Sequence, residues 1–120
     1  MHRLNFNAMP VEVYSHANLA TADADPTTSA PAATRLVAPL GGRHPAVYWT
    51  TSGAAAGRTI DVELWALFGT EYVQVARTTG IAPNTLIVFT SVEAVQLFPR
   101  VAGVAGGPHP DFSLNALTVS

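Results

Sequence analysis

The chain has 120 residues, no cysteine and a formal net charge of −2, from six basic residues, all arginine, and eight acidic ones. This length suits one domain, which must fold without disulfides. The arginines are scattered along the sequence and form no basic cluster of the kind that binds nucleic acid, so no nucleic-acid partner is expected. No apolar run reaches the roughly 20 residues that span a bilayer, and the first residues lack the features of a signal peptide, so neither membrane insertion nor export is expected.

The charged fraction is the most informative number in the composition. It is 12%, whereas a soluble domain usually has about 25%. Surfaces with so few charges tend to associate, which favours a protein that is largely covered by partners. A GC-rich genome, which favours Ala, Gly, Pro and Arg codons, would give a similar composition and is compatible with that interpretation.

The N-terminal third contains one predicted strand and one long segment with almost no bulky apolar side chains. Residues 3–15 alternate between apolar and polar, with Pro10 at a change of phase, and predict a kinked strand or an extended arm. Residues 17–34 are small and polar with two prolines, and predict a long loop or an arm that lies on a neighbouring molecule. The predicted division is 1–33 for strand and arm and 34–120 for the folded body, or one domain in which residues 3–15 are a strand.

The rest of the chain reads as short strands separated by turn residues, with no helix of useful length. This pattern predicts an all-β fold, an antiparallel β-sandwich or jelly-roll-like single domain with an extended N-terminal arm or long loop. Residues 53–57, 79–84 and 106–111 are the predicted loops and turns. The predicted strands are 34–40, 45–52, 58–68, 71–78, 85–90, 94–106 and 112–120.

The clearest prediction is a hairpin over residues 58–78. Alternate residues from Ile60 to Phe68 are apolar and share one face. Gly69-Thr70 then fits a two-residue type II′ turn, because glycine tolerates a positive φ. We expect Phe68, Phe89 and Phe98 to be large members of the core.

The titratable residues do not form a catalytic pattern. His109 and Asp111 lie in a proline-rich turn, which predicts a solvated turn rather than a metal site. Three acids, Asp61, Glu63 and Glu71, are interpreted as solvating an exposed sheet face rather than as a glycosidase pair. No nucleophile motif or phosphate-binding loop is present, so no enzyme, cofactor or metal is expected.

The two tryptophans are expected to pack on the core or on a neighbouring strand. Trp65 is out of phase with the core face of its strand, so a role at an interface stays open for it.

Residues 58–119 resemble small β-sandwich structural proteins of tailed bacteriophages and gene-transfer particles, in particular capsid decoration (cement) and head-spike proteins. The matching features are a Leu64-Trp65 pair, the Gly69-Thr70 hairpin, a return strand from Tyr72 to Val75, and a late strand with Arg100 to Gly103. The resemblance covers about the C-terminal half of the chain.

The resemblance implies a non-enzymatic virion subunit, assembled in the host cytoplasm, that binds the major capsid protein or other virion proteins. It also implies a homo-oligomer and favours a trimer. Residues 3–15 and 17–34 are the expected contact elements. The candidate interface residues are Leu4, Phe6, Val11, Val13, Tyr14, Trp65, Tyr72 and Arg100.

Two other functions stay open. One is a tail, neck, baseplate or spike subunit of the same kind of particle. The other is a carbohydrate-binding module, which requires Trp49, Trp65 or Tyr72 to be exposed in a row.

Overall fold

Seven antiparallel β-strands, with no helix, make up the part of the chain that the structure describes. The structure is a computed structural model that describes residues 11–28, 44–53, 57–92 and 97–119, with residues 11–13 described by their backbone alone. The strands are β1 (Val11–Leu19), β2 (His44–Thr50), β3 (Thr59–Phe68), β4 (Glu71–Ile81), β5 (Ile87–Val88), β6 (Leu97–Ala105) and β7 (His109–Val119).

The strands form two sheets that pack together, so the predicted antiparallel β-sandwich is confirmed. The four-stranded sheet has the order β1-β7-β2-β5, and the three-stranded sheet has the order β4-β3-β6. Four of the five neighbouring pairs among the described strands are not consecutive in the chain, so the chain crosses repeatedly between the two sheets.

The core lies between the two sheets and is built from the inward side of each alternating strand. The predicted face of β3 is correct from Ile60 to Ala66, since Ile60, Val62, Leu64 and Ala66 are all buried in the core. The four-stranded sheet contributes the largest fully buried side chains, Trp49 of β2 and Phe112 of β7, whose ring centroids lie 5.6 Å apart.

The three phenylalanines predicted for the core have different positions. Phe89 is buried in the core, as predicted. Phe98 is buried too, but it lies opposite Trp65 on the outward side of the three-stranded sheet. Phe68 is 53% exposed, so its assignment to the core is wrong. Phe68 lies on the predicted side of β3, but this end of the hairpin extends beyond the core in which Ala66 is buried.

The predicted β3–β4 turn is confirmed. Phe68 pairs with Glu71, so the loop contains only Gly69 and Thr70. Gly69 has a φ of 66°, whereas Thr70 has no positive φ. This combination is the one that a type II′ turn requires.

Several boundaries differ from the predicted ones. β4 runs on to Ile81 through the predicted turn 79–84, because the Asp61 carboxylate accepts a hydrogen bond from the Gly80 N–H at 2.8 Å and supports an irregular pairing there. β5 has two residues rather than the six of segment 85–90. The predicted strand 34–40 lies outside the described residues.

The segment after β1 returns to the body of the same chain. β1 includes residues 17–19 of the predicted loop and pairs with β7. Residues 20–28 then reach the other sheet, where the Asp23 N–H donates to the Val101 carbonyl at 2.8 Å and the Asp23 carboxylate accepts from the Val101 N–H at 2.9 Å. The described part of the segment therefore lies against β6 of its own chain.

Candidate functional site

Three of the predicted interface residues meet on one surface, the outward side of the three-stranded sheet. We call this surface the outer face. Its residues follow from the register of β3 with its two neighbours, since side chains that lie opposite one another share a face. They are Glu63, Trp65 and Leu67 of β3, Tyr72, Gln74 and Arg77 of β4, and Phe98 and Arg100 of β6.

Aromatic side chains cover the middle of the outer face. Trp65 is 8% exposed and lies opposite Phe98, which is 7% exposed. The Tyr72 ring meets the Phe98 ring edge to face, with 5.5 Å between their centroids. Trp65 thus packs against a neighbouring strand of its own sheet, which is one of the two positions expected for the tryptophans.

Glu63 is buried beside Trp65 and is fully hydrogen-bonded. Its Oε1 accepts from Trp65 Nε1 at 3.0 Å and from an Arg100 NH1 at 2.6 Å, and its Oε2 accepts from an Arg77 NH1 at 3.2 Å. The side chain is only 6% exposed. The prediction that Glu63 solvates an exposed face is therefore wrong. Arg77 and Arg100 lie opposite it on β4 and β6, and that placement depends on a register that the sequence does not reveal.

Arg100 also fastens the segment after β1 to the outer face. Its Nε and NH2 donate to the Asp23 carbonyl at 3.2 and 3.0 Å, and its Nε reaches the Ala24 carbonyl at 3.3 Å. Nearby, the hydroxyl and N–H of Thr27 donate to the Asp25 carboxylate, and these bonds lower the pKa of Asp25. Arg100, predicted as a contact to another protein, contacts Glu63 and the chain's own backbone.

The large apolar side chains that are exposed among the described residues lie at the end of the β3–β4 hairpin, which we call the hairpin tip (residues 67–73). Phe68 is 53% exposed and Val73 is 38% exposed. Both side chains lie on the same side of the hairpin as Ala66, which pairs with Val73 and is buried in the core. Glu71 is the only charged residue of this segment. The hairpin tip is therefore an apolar projection with little charge around it.

The N-terminal candidates lie elsewhere. Tyr14 is on β1 in the four-stranded sheet and is half-buried, and its ring meets the Phe112 ring edge to face with 5.5 Å between their centroids. Val11 and Val13 belong to the same strand. Leu4 and Phe6 lie outside the described residues.

His109 is the buried titratable residue of the other sheet, so its predicted place in a solvated turn is wrong. It begins β7 and is fully buried, with its ring centroid 5.0 Å from that of Trp49. An Arg58 NH1 lies 3.4 Å from its Nδ1, and the Thr59 carbonyl lies 3.4 Å from its Nε2. Arg58 can only donate, so Nδ1 accepts and Nε2 carries the proton. Burial lowers the pKa of His109, the Thr59 carbonyl raises it and the Arg58 guanidinium lowers it further.

Among the described residues, no three histidine or acidic side chains are grouped in a way that could hold a metal ion. Trp49 and Trp65 are both buried, so the row of exposed aromatic rings that a carbohydrate-binding module needs is not found in the ranges that the structure covers. A membrane-crossing helix does not occur in those ranges either.

Comparison of the chain with protein-family models, with curated proteins and with solved structures found no match.

Proposed function

We propose that this chain is a non-enzymatic structural protein of a virion, a capsid decoration protein that binds and stabilises the assembled head. The resemblance of residues 58–119 to phage cement and head-spike proteins supports the proposal. An antiparallel β-sandwich is compatible with it, since the two-sheet jelly rolls of viral capsid domains are sandwiches too. The fold hosts other functions as well, so the argument depends on the surface.

The observation that carries the proposal is the hairpin tip. Phe68 and Val73 are the large apolar side chains exposed among the described residues, and they lie diagonally across the hairpin on the same side. Charged residues on a protein surface oppose association, and only 12% of the residues in this chain are charged. Exposed apolar side chains that lie together at the end of a hairpin are typical of a surface that is covered in an assembly.

The base of the hairpin is suited to hold this projection in place. Glu63 ties β3 to β4 through Arg77 and to β6 through Arg100. Trp65, Phe98 and Tyr72 pack across the same three strands. Binding therefore needs little ordering of the hairpin, which lowers the entropic cost of association.

Each contact of this kind is weak, and the proposed mechanism depends on repetition. Complete burial of a Phe or Val side chain stabilises by about 1.5–3 kcal/mol, and both side chains are already partly buried here. One hairpin tip thus contributes only about 2 kcal/mol. A shell offers many equivalent positions, and simultaneous contacts raise the overall affinity by avidity.

Co-sedimentation with intact heads tests the proposal. The purified chain is expected to sediment with heads assembled without it and to raise their resistance to heat. Phe68→Ser combined with Val73→Ser should reduce the bound fraction at least tenfold. Ala82→Ser, at an exposed position away from the hairpin tip, is the matched control and should bind normally. Failure of the unaltered chain to sediment with heads would overturn the proposal.

A further inference from the structure

We propose that the hairpin tip binds the hairpin tip of a second copy of this chain, through antiparallel pairing of the two β4 strands across a two-fold axis at Val73. This inference depends on the proposed role of the hairpin tip as an assembly contact, and it names the partner at that contact. Three features identify a second copy as the partner: the backbone groups that β4 presents, the symmetry of their spacing, and the side chains beside them.

The first feature is the free edge of β4. Among the described strands, β4 has one neighbour, β3, and lies at the end of its sheet. In a hairpin with a two-residue loop, the residues that flank the turn exchange hydrogen bonds, and the pairs then alternate. Phe68 pairs with Glu71 and Ala66 with Val73 in the bonded positions. The intervening residues, Tyr72 and Gln74, therefore direct their N–H and C=O groups away from β3.

The second feature is symmetry. Tyr72 and Gln74 stand one residue on either side of Val73. A two-fold axis at Val73 places Tyr72 of one copy opposite Gln74 of the other, and each such pair can exchange both N–H···O bonds. The same surface is used on both copies, as an isologous contact requires.

The third feature is the set of side chains that this register brings together. Val73 meets Val73 of the second copy in a non-hydrogen-bonded pair, where side chains are closest. The pairing therefore covers Val73, whereas Phe68 lies one strand further from the axis, opposite Glu71 on the same side of the hairpin. Glu71 faces Val75 of the second copy, so the two carboxylates do not oppose one another.

The structure also limits the length of the pairing. The register of β3 with β4 shifts between Leu64 and Trp65, and this irregularity displaces β4 at Val75. Irregularities of this kind interrupt edge pairing. The contact is therefore confined to the stretch around Tyr72 to Gln74, and the isolated dimer is expected to form weakly and in a concentration-dependent way.

A cysteine cross-link tests the geometry directly, because the chain contains no cysteine. Cα atoms in a non-hydrogen-bonded pair are about 4.5 Å apart, which lies within the range that a disulfide spans. Val73→Cys, in the purified full chain without heads, is expected to oxidise to a covalent dimer at least tenfold faster than Thr79→Cys. Thr79 is exposed on the same strand but lies far from the proposed axis. Equal rates for the two variants would overturn the inference.

A backbone variant tests the hydrogen bonds. Gln74→Pro removes a donor that points away from β3, so the hairpin keeps its internal bonds while the second copy loses a partner. Gln74→Ala removes the same side chain and keeps the donor. Sedimentation equilibrium should show a dimer for the unaltered chain and for Gln74→Ala, and at least a tenfold weaker dimer for Gln74→Pro, with circular dichroism reporting the fold. A trimer without the Val73 cross-link, or equal association of the two variants, would overturn the inference.

These measurements are made without heads, so they are separate from the test of the proposed function. If heads bind the chain but the free chain is a monomer without the cross-link, the two-fold contact is wrong and the decoration role stands. If the free chain forms the cross-linked dimer but does not bind heads, the two-fold contact stands and the decoration role is wrong.

Discussion

Glu63 is the residue whose structural role differs most from its expected one. A carboxylate in an alternating strand, next to Asp61 and near Glu71, has the pattern of a solvated face. In the structure, three donors from three strands converge on it. A buried carboxylate of this kind fixes the relative positions of the strands whose side chains it binds, because its loss leaves a cation without a partner.

We predict that Glu63→Gln destabilises the protein by about 3 kcal/mol, because the Arg100 side chain, which is only 18% exposed, then loses its anion. Arg77 contributes little to this loss, since its side chain is 49% exposed and exposed ion pairs are weak. Urea denaturation measures the change. Glu71→Gln, on the exposed end of the same hairpin, is the control and should change the free energy of unfolding by less than about 0.5 kcal/mol. Similar losses for both variants would contradict the role of Glu63.

The buried His109 is expected to make the free energy of unfolding depend on pH. Burial, the largest cause, lowers its pKa in the folded protein. Below about pH 6.5 a histidine of the unfolded chain binds a proton, while His109 of the folded chain stays neutral. Protons then favour the unfolded state, so the free energy of unfolding falls as the pH is lowered from about 6.5 towards the folded-state pKa.

The measurement is a series of urea unfolding curves between pH 7.5 and 5 (approximate limits set by the histidine pKa). His109→Gln should remove part of the decline seen in the unaltered chain. The exposed His16 supplies the control variant, His16→Gln. If the free energy of unfolding falls with decreasing pH as steeply in His109→Gln as in the unaltered chain, or if His16→Gln reduces the fall equally, another group is responsible.

The β3–β4 hairpin is the element that sequence reasoning described best. Its turn, its strand directions and most of its core-facing residues follow from local chemistry. A glycine at the first position of a two-residue loop and an alternation of side chains over ten residues leave few other conformations. The exposure of Phe68 at the end of the hairpin does not follow from local chemistry, because it depends on how far the facing sheet extends.

At the level of this element, Gly69→Ala should destabilise the protein by about 1 kcal/mol, because φ at this position is 66° and a Cβ is disfavoured there. No atom lies within 4 Å of the position that the Cβ would occupy, so the loss comes from the backbone alone. Thermal unfolding measures it.

Gly107→Ala is the matched control for that substitution. Gly107 has no positive φ, and the nearest atom to its added Cβ is 3.5 Å away. We expect a change of less than about 0.5 kcal/mol. An equal effect at the two glycines would contradict the backbone explanation.

At the scale of the whole molecule, Trp49 connects the two sheets. Its ring packs in the core between the two sheets. Its Nε1 donates to the carbonyl of Ile81, the last residue of β4, at 3.0 Å. This bond joins β2 to the opposite sheet, in addition to the apolar contacts between the sheets.

We predict that Trp49→Phe destabilises the protein by about 2–3 kcal/mol, through the unpaired Ile81 carbonyl and the space left by the smaller ring. Tyr48→Phe, one residue earlier in β2, is the control. It removes only an exposed hydrogen bond of 3.3 Å to Asn84 and should cost less than about 1 kcal/mol. Chemical denaturation that shows the reverse order would contradict the role of Trp49.

The sequence by itself determined the local properties of this protein: the all-β class, the sandwich, the Gly69-Thr70 turn and the inward side of β3. These depend on the period of two in a strand and on the φ angles that single residues tolerate, and both are readable from neighbouring residues. The tertiary structure alone decided the exposure of Phe68, the burial of Glu63 and His109, and the return of residues 20–28 to β6. These depend on which strands lie side by side and in which register, and residues such as Glu63 and Arg100, 37 positions apart, carry no local signal of that pairing.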